Sequence, residues 1–286
     1  MARIAIIGGG NMGEALLAGL LRAGRQVKDL VVSEKSAERA TYLSHTYSEQ
    51  VAAVADAVEN AALVIQAVKP ADIESVIVEI ANVAGKAESD AVEQVLVSVI
   101  AGVTTGFYES HLPAGYPVIR VMPNAPALVG AGITALAKGR FATPDQLAEA
   151  AALFECVGAV LTVSEARLDA VTAVSGSGPA YFFLFVEALV DAGVAGGLSR
   201  AVATELAVQT MAGSVAMLLE RTDADSAAAA GRPDTTAAEL RALVTSPGGT
   251  TAAGLRELER GGVRAAVAAA VEAAKTRSEQ LGITSE

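Results

Sequence analysis

The feature that most constrains this chain is the hexapeptide Gly8-Gly9-Gly10-Asn11-Met12-Gly13, set between an apolar run ending at Ile7 and a helix-like pattern. Glycine spacing of this kind is informative only in that strand-before, helix-after context, and here the context is present. Gly8 permits a tight turn, Gly10 lets backbone approach a pyrophosphate, and Gly13 lets helix and strand lie close. The head of the following helix offers unpaired N–H groups and a positive dipole end to phosphates. The motif implies a Rossmann-type domain that holds a dinucleotide on Ile7, Gly8, Gly9, Gly10, Asn11, Met12 and Gly13.

The pattern downstream agrees with that start. Short, nearly continuous Val- and Ile-rich runs cover 4–7, 30–33, 63–68, 95–100 and 118–122, with helical patterns such as 12–23 and 72–83 between them. Continuous rather than alternating apolarity is the mark of parallel strands covered on both faces. Alternating strands and helices predict an α/β, doubly wound, mostly parallel sheet. Residues 133–137 and 159–163 are expected to add edge strands. Beyond residue 165 only helical patterns follow, at 178–192, 200–219, 236–244, 251–259 and 263–281. The expected division is a dinucleotide-binding domain over 1–164 and an all-α domain over 165–286. The helix opening Pro179-Ala180-Tyr181-Phe182-Phe183-Leu184-Phe185-Val186 is apolar nearly all round and calls for cover on every side. In so small a domain a partner subunit is the expected cover; an ordinary core helix is the alternative. Residues 85–90 and 223–234 read as loops, the second as a mobile linker.

Bulk properties narrow the function. A formal net charge of −11 argues against nucleic acid or an anionic membrane as the main partner, though not against a small anionic ligand. Cys156 is the only cysteine, which excludes an intrachain disulfide and fits a reducing compartment. The first apolar run is too short for a signal peptide. No uninterrupted run approaches the ~20 apolar residues of a membrane helix. A soluble, cytoplasmic protein is expected. His45 and His111 both fall in the first half and read as surface residues. Two histidines and one cysteine make no metal site expected.

The turn after the second strand bears on cofactor choice. If Ser33 takes the ribose position, Ser33 and Lys35 can hold a 2′-phosphate; if Glu34 takes it, its carboxylate binds the free ribose hydroxyl. We read NADPH, with NADH as the alternative. Lys35 and Arg39 also fit a plain solvated helix start. Ala67-Val68-Lys69-Pro70 ends the third strand, where proline forces a break. This turn lies on the ligand edge of the sheet and is expected along the ribose and nicotinamide. Val99-Ile100-Ala101-Gly102 closes the next strand and is expected to flank the nicotinamide.

Two later turns carry further information. Ser175-Gly176-Ser177-Gly178-Pro179-Ala180-Tyr181 and Thr245-Ser246-Pro247-Gly248-Gly249-Thr250-Thr251 both read as helix starts. A turn of small residues with exposed N–H groups can hold a carboxylate without any basic side chain, although helix capping alone also explains it. Together with Arg120-Val121-Met122-Pro123-Asn124-Ala125-Pro126, these motifs resemble the pyrroline-5-carboxylate reductases. The resemblance spans nearly the whole chain, and the 246–251 turn, followed by Leu255 and Glu257, looks like the family signature.

That resemblance implies a Rossmann domain binding NADPH or NADH, with helical domains of two subunits interlocked to form the substrate site. It implies a working homodimer, assembled in many members into a decamer. The substrate would be 1-pyrroline-5-carboxylate, reduced to L-proline in the last step of proline biosynthesis. Carried over residue by residue, the substrate carboxylate falls on Ser246, Gly248, Gly249, Thr250 and Thr251. The Thr251 hydroxyl falls near the imine nitrogen as the catalytic group. Glu165 matches an acidic position near the substrate, and Asn124 joins the cofactor contacts. The chain departs from relatives in its long 223–234 stretch, and relatives vary after the second strand.

The residue inventory suits an imine acceptor. An imine is basic enough to be protonated without a strong protein acid, so positioning does most of the work. Ketone and hydroxy-acid dehydrogenases commonly use a Lys or His, whereas the helical half has no His and Lys275 as its one Lys. A hydroxy-acid dehydrogenase and a non-enzymatic dinucleotide-binding regulator are the competing readings. The first is disfavoured by that inventory, the second by the intact 246–251 turn.

Overall fold

The computed structural model describes residues 3–48, 50–86, 93–226 and 236–283. The first half runs β1 (Ile4–Ile7), α1 (Asn11–Arg22), β2 (Leu30–Ser33), α2 (Ala37–Tyr47), α3 (Val54–Val58), β3 (Leu63–Gln66) and α4 (Ile73–Ala84). It continues with β4 (Val95–Ser98), α5 (Thr105–His111), β5 (Val118–Met122), β6 (Gly132–Lys138), α6 (Pro144–Phe154) and β7 (Gly158–Thr162). Helices α7 (Leu168–Val171), α8 (Gly178–Ala195), α9 (Arg200–Ser226), α10 (Thr236–Leu243), α11 (Thr250–Arg260) and α12 (Val263–Ile283) follow.

The seven strands form one sheet in the order β2-β1-β3-β4-β5-β6-β7. All neighbours are parallel except β5 and β6. β1 shows why the strands read as continuous apolar runs. Ile4 and Ile6 pack on one face with Leu16, Leu17 and Leu20 of α1, while Ala5 and Ile7 face Ile73, Ile77 and Ile80 of α4. All four residues of β1 are at most 1 % exposed. Such a sheet needs helices on both faces, and the strand–helix alternation supplies them.

The structure corrects the sequence reading in three places. β3 and β4 each stop two residues before the end of their apolar runs, at Gln66 and Ser98. They end level with Ile7 in the ladder, and Val68, Val99 and Ile100 pack against the core beyond the strand ends. Helix α9 extends to Ser226, so the first four residues of the expected linker are helical. The rest of that stretch, like 87–90 of the earlier loop, lies outside the described residues. Finally, the stretches Glu165–Ala195 and Arg200–Arg221 are long and apolar enough to cross a membrane by length and composition. Counting uninterrupted apolar residues missed them, because a few charges interrupt helices that are apolar on average.

By contacts the chain divides into two compact units, one of residues 1–179 with 271–286 and one of 180–270. In the second unit Val190 of α8 packs against Ala203 and Ala207 of α9. The first turns of α8 are uncovered: Phe182, Phe183 and Leu184 are 59 %, 70 % and 66 % exposed.

Candidate active site

The glycine turn is built from behind by the rest of its own unit. Gly8 has φ +106°, and a Cβ there would lie 2.5 Å from the Ala67 carbonyl oxygen. A Cβ on Gly13 would lie 2.0 Å from the Gly8 carbonyl oxygen. A Cβ on Gly10 meets nothing within 4 Å. The turn is therefore closed toward the sheet and open at Gly10. Gly10 is the N-cap of α1 and no side chain caps that helix. In contrast, Ser36, Thr104 and Thr143 cap α2, α5 and α6. An uncapped, glycine-headed helix with an open side fits a bound pyrophosphate.

The outer peptide of the turn is gripped from both ends. Gly9 N donates to Glu34 Oε2 at 2.9 Å, and Ser36 N donates to Glu34 Oε1 at 2.8 Å. Arg39 Nε donates to the Gly9 carbonyl at 2.7 Å, and its guanidinium pairs with Glu14 of α1. Tyr47 and Tyr42 also donate to Glu14, at 2.8 and 3.0 Å. Burial acts to raise the Glu14 pKa. The bonds from Tyr47, Arg39 and Tyr42, with the Arg39 charge, outweigh it and hold the carboxyl below its ordinary value. The same burial and the Glu14 carboxylate push the Tyr47 hydroxyl up to about 12. Thus Glu34 and Arg39 shape the turn, a role that no local sequence pattern marks.

A cavity of about 490 Å³ opens beside the turn. Ile7, Gly8, Gly10, Ser33 and Lys35 line it on one side, and Ala67, Val68 and Lys69 on the other. Pro70 and Ala101 instead line a neighbouring cavity of about 330 Å³ with Phe107 and Leu281. Gly9 is buried within the turn against Leu43, and Asn11, Met12 and Gly13 begin α1. Val99 and Ile100 pack into the two core faces of the sheet. Residues 52–54 also wall the larger cavity, where Ala52 N bonds to the Val32 carbonyl. Asp72, Glu79 and this wall were not anticipated, since no local pattern marks them.

A buried charge cluster lies at the other end of the sheet edge. Arg120 of β5 is 3 % exposed, with Asp169 Oδ1 at 3.1 Å and Glu165 Oε1 at 3.6 Å. Glu165 also accepts from Thr105 N at 2.6 Å and Thr105 Oγ1 at 2.7 Å. Ser278 Oγ of α12 donates to Asp169 Oδ1 at 2.7 Å. Close by in sequence, Gly102 receives the end of α12: a Cβ on Gly282 would lie 2.4 Å from the Gly102 carbonyl oxygen. Asn124 uses its amide inside the protein, accepting from Ile133 N at 2.9 Å and donating to the Ser175 carbonyl at 3.2 Å.

The turn over 246–251 belongs to the second unit. Gly248 has φ +69°, Gly249 is the N-cap of α11, and no side chain caps this helix either. Ser246, Thr250 and Thr251 are exposed. Among the described residues no group of three or more His, Cys, Asp or Glu could hold a metal. Burial raises the Cys156 pKa, which keeps that thiol a poor nucleophile at neutral pH.

A mostly parallel sheet with this turn on its carboxyl edge defines a dinucleotide-binding fold of the Rossmann class. Comparison with known proteins makes the class specific. Residues 3–102 match a family described as "NADP oxidoreductase coenzyme F420-dependent", and residues 165–281 match "Pyrroline-5-carboxylate reductase dimerisation". The chain is 69 % identical over 291 aligned positions to a pyrroline-5-carboxylate reductase of Mycobacterium tuberculosis, covering all of this chain and 99 % of the relative. A relative of that name from Corynebacterium melassecola is 42 % identical and covers 99 % of both. Among solved structures, a pyrroline-5-carboxylate reductase from Coxiella burnetii aligns with TM-score 0.85 at 32 % identity, over 98 % of each chain. A pyrroline carboxylate reductase of Plasmodium falciparum with NADP bound aligns with TM-score 0.82 at 29 % identity, over 98 % of each chain. The chain belongs to the pyrroline-5-carboxylate reductase family.

Proposed function

We propose that this protein reduces 1-pyrroline-5-carboxylate to L-proline with NADPH or NADH, as the last step of proline biosynthesis. The observation that carries this reading is the full-length identity to named reductases, with both glycine-headed turns present in the one chain. The open side of Gly10 and the uncapped head of α1 take the pyrophosphate, and residues 33–35 and 67–70 follow the cofactor outward. When bound, the reduced nicotinamide supplies the hydride that the imine carbon accepts. The backbone N–H groups at the head of α11 hold the substrate carboxylate, with Ser246, Gly248 and Gly249 shaping the turn. Thr250 and Thr251 stand nearest, and the Thr251 hydroxyl bonds the imine nitrogen and relays its proton. Glu165, anchored on Thr105, and Asn124, anchored on Ile133 and Ser175, order the edge of the site around Val99, Ile100 and Ala101.

Residues 1–164 form the cofactor domain in this reading and 165–286 the dimerisation and substrate domain. The exposed apolar side of α8 is the subunit interface, dimers assemble further toward a decamer, and the protein works in the cytoplasm. The test is oxidation of NADPH and NADH with pyrroline-5-carboxylate, with keto acids, and without substrate. Turnover only with the imine is expected. Turnover only with keto acids overturns the reading, and binding without any turnover favours a regulator. Thr251→Ala should lower kcat about ten- to a thousandfold, or ~1.4–4 kcal/mol, with unchanged dinucleotide affinity. An unchanged kcat removes Thr251 from the chemistry.

A further inference from the structure

The turns after β2 and β3 meet at the larger cavity through one ion pair. Lys35 Nζ lies 2.7 Å from both Asp72 carboxylate oxygens. Asp72 is the fixed partner. Its N–H donates to the Lys69 carbonyl at 2.9 Å, and its own carbonyl accepts from Ser75 Oγ at 3.0 Å. The lysine is the movable arm, with a side chain 73 % exposed against 25 % for the aspartate.

Two of the other groups near the 2′ position are already engaged. Glu34 is tied to two backbone N–H groups, Arg39 to Gly9 and Glu14, and Ser33 is buried at 7 % exposure. Lys69 and Glu79 also line the cavity. The lining cations are thus Lys35 and Lys69, against the carboxylates Glu34, Asp72 and Glu79. This wall is not preset for a phosphate.

We infer that Asp72 tunes the choice between NADPH and NADH by holding Lys35 away from the cofactor's 2′ position. The inference rests on the cofactor-site reading above. A 2′-phosphate brings roughly −1.5 to −2 charge near neutral pH and recruits Lys35 only by drawing it off Asp72. A ribose hydroxyl makes no such demand. The clasp therefore weakens NADPH binding and leaves NADH binding alone, which suits an enzyme that accepts both. An exposed pair exchanges easily, so the effect is modest, about three- to tenfold.

The test measures dissociation constants of NADPH and NADH for the full-length protein at fixed ionic strength. Asp72→Asn should tighten NADPH about three- to tenfold and move NADH by less than about twofold. Lys35→Ala should weaken NADPH by a comparable factor. In the Lys35→Ala background, Asp72→Asn should then change little, because the aspartate acts through the lysine. An unchanged NADPH-to-NADH ratio in Asp72→Asn overturns the clasp. So does an equal gain with and without Lys35, which would make Asp72 a bare repulsive charge. Gly10→Leu separates the two levels. It projects a side chain into the open side of the turn and should abolish binding of both cofactors. If it binds both normally, the cofactor-site reading falls and the clasp with it.

Discussion

Two helices of this protein begin alike and are finished differently. α1 and α11 both start on a glycine N-cap with no capping side chain. The head of α1 is embedded: Gly8 and Gly13 press on neighbouring backbone, Glu34 and Arg39 grip Gly9, and the helix buries six residues. The head of α11 stands clear. A Cβ on Gly248 meets nothing within 4 Å, and α11 buries no residue. The same glycine N-cap thus heads one turn that its own unit encloses and another that its unit leaves open. In the function proposed above, a second subunit at the uncovered start of α8 supplies the missing surfaces.

The sharpest way to break this comparison is to prevent association. Phe183→Glu places a charge on the uncovered apolar side of α8. Activity should fall about a thousandfold at dilute enzyme concentration, while dinucleotide affinity stays within about twofold. Sedimentation should show a monomer. A fully active monomer would mean that one chain completes both turns.

A smaller effect separates the turns themselves. Gly13→Ala drives a methyl against the Gly8 carbonyl and should cost about 1–3 kcal/mol of stability in denaturant titration, with weakened binding of both cofactors. Gly248→Ala strains only a left-handed backbone in open space. It should cost about 1 kcal/mol and appear mainly as a higher KM for the imine. Equal effects on cofactor binding would erase the distinction.

The smallest effect concerns pH. The folded Glu14 carboxyl sits below its ordinary pKa, so its contribution is present above the ordinary carboxylate value and is lost as pH falls through the depressed one. Acid titration of stability should show less loss across that window in Glu14→Gln than in the parent. An identical profile would mean that the Arg39, Tyr42 and Tyr47 bonds to Glu14 do not steady the first turn.

The same contrast explains what the sequence reveals. Strands β1 to β5 are legible because each is a short apolar run whose neighbours share its environment, and the glycine turn because every spacing in it has a steric cause. The ends of β3 and β4 are not, since Val68, Val99 and Ile100 are as apolar as the strands and still pack against the core after the ladder stops. The 246–251 turn was readable as a helix head, but its exposure depends on what surrounds it and not on its own residues. The Arg120, Glu165, Asp169 and Ser278 cluster and the Lys35–Asp72 pair stayed hidden. Glu165 and Asp169 stand one helical turn apart, but Arg120, Ser278 and the two halves of the Lys35–Asp72 pair come from elements at separations that no helical or strand period relates.

The return of α12 to the first unit has a consequence for how the protein is made. Ser278 bonds Asp169 across 109 positions, and Gly282 fits against Gly102. On the ribosome, the sheet can assemble long before these partners are translated, so the turn at the carboxyl end of β4 stands unsealed while the intervening helices emerge. Contacts of such long range are formed late and slowly. The nascent protein therefore passes through a stage in which its nucleotide-binding half is nearly built but not yet closed, and that stage is where chaperones would find it.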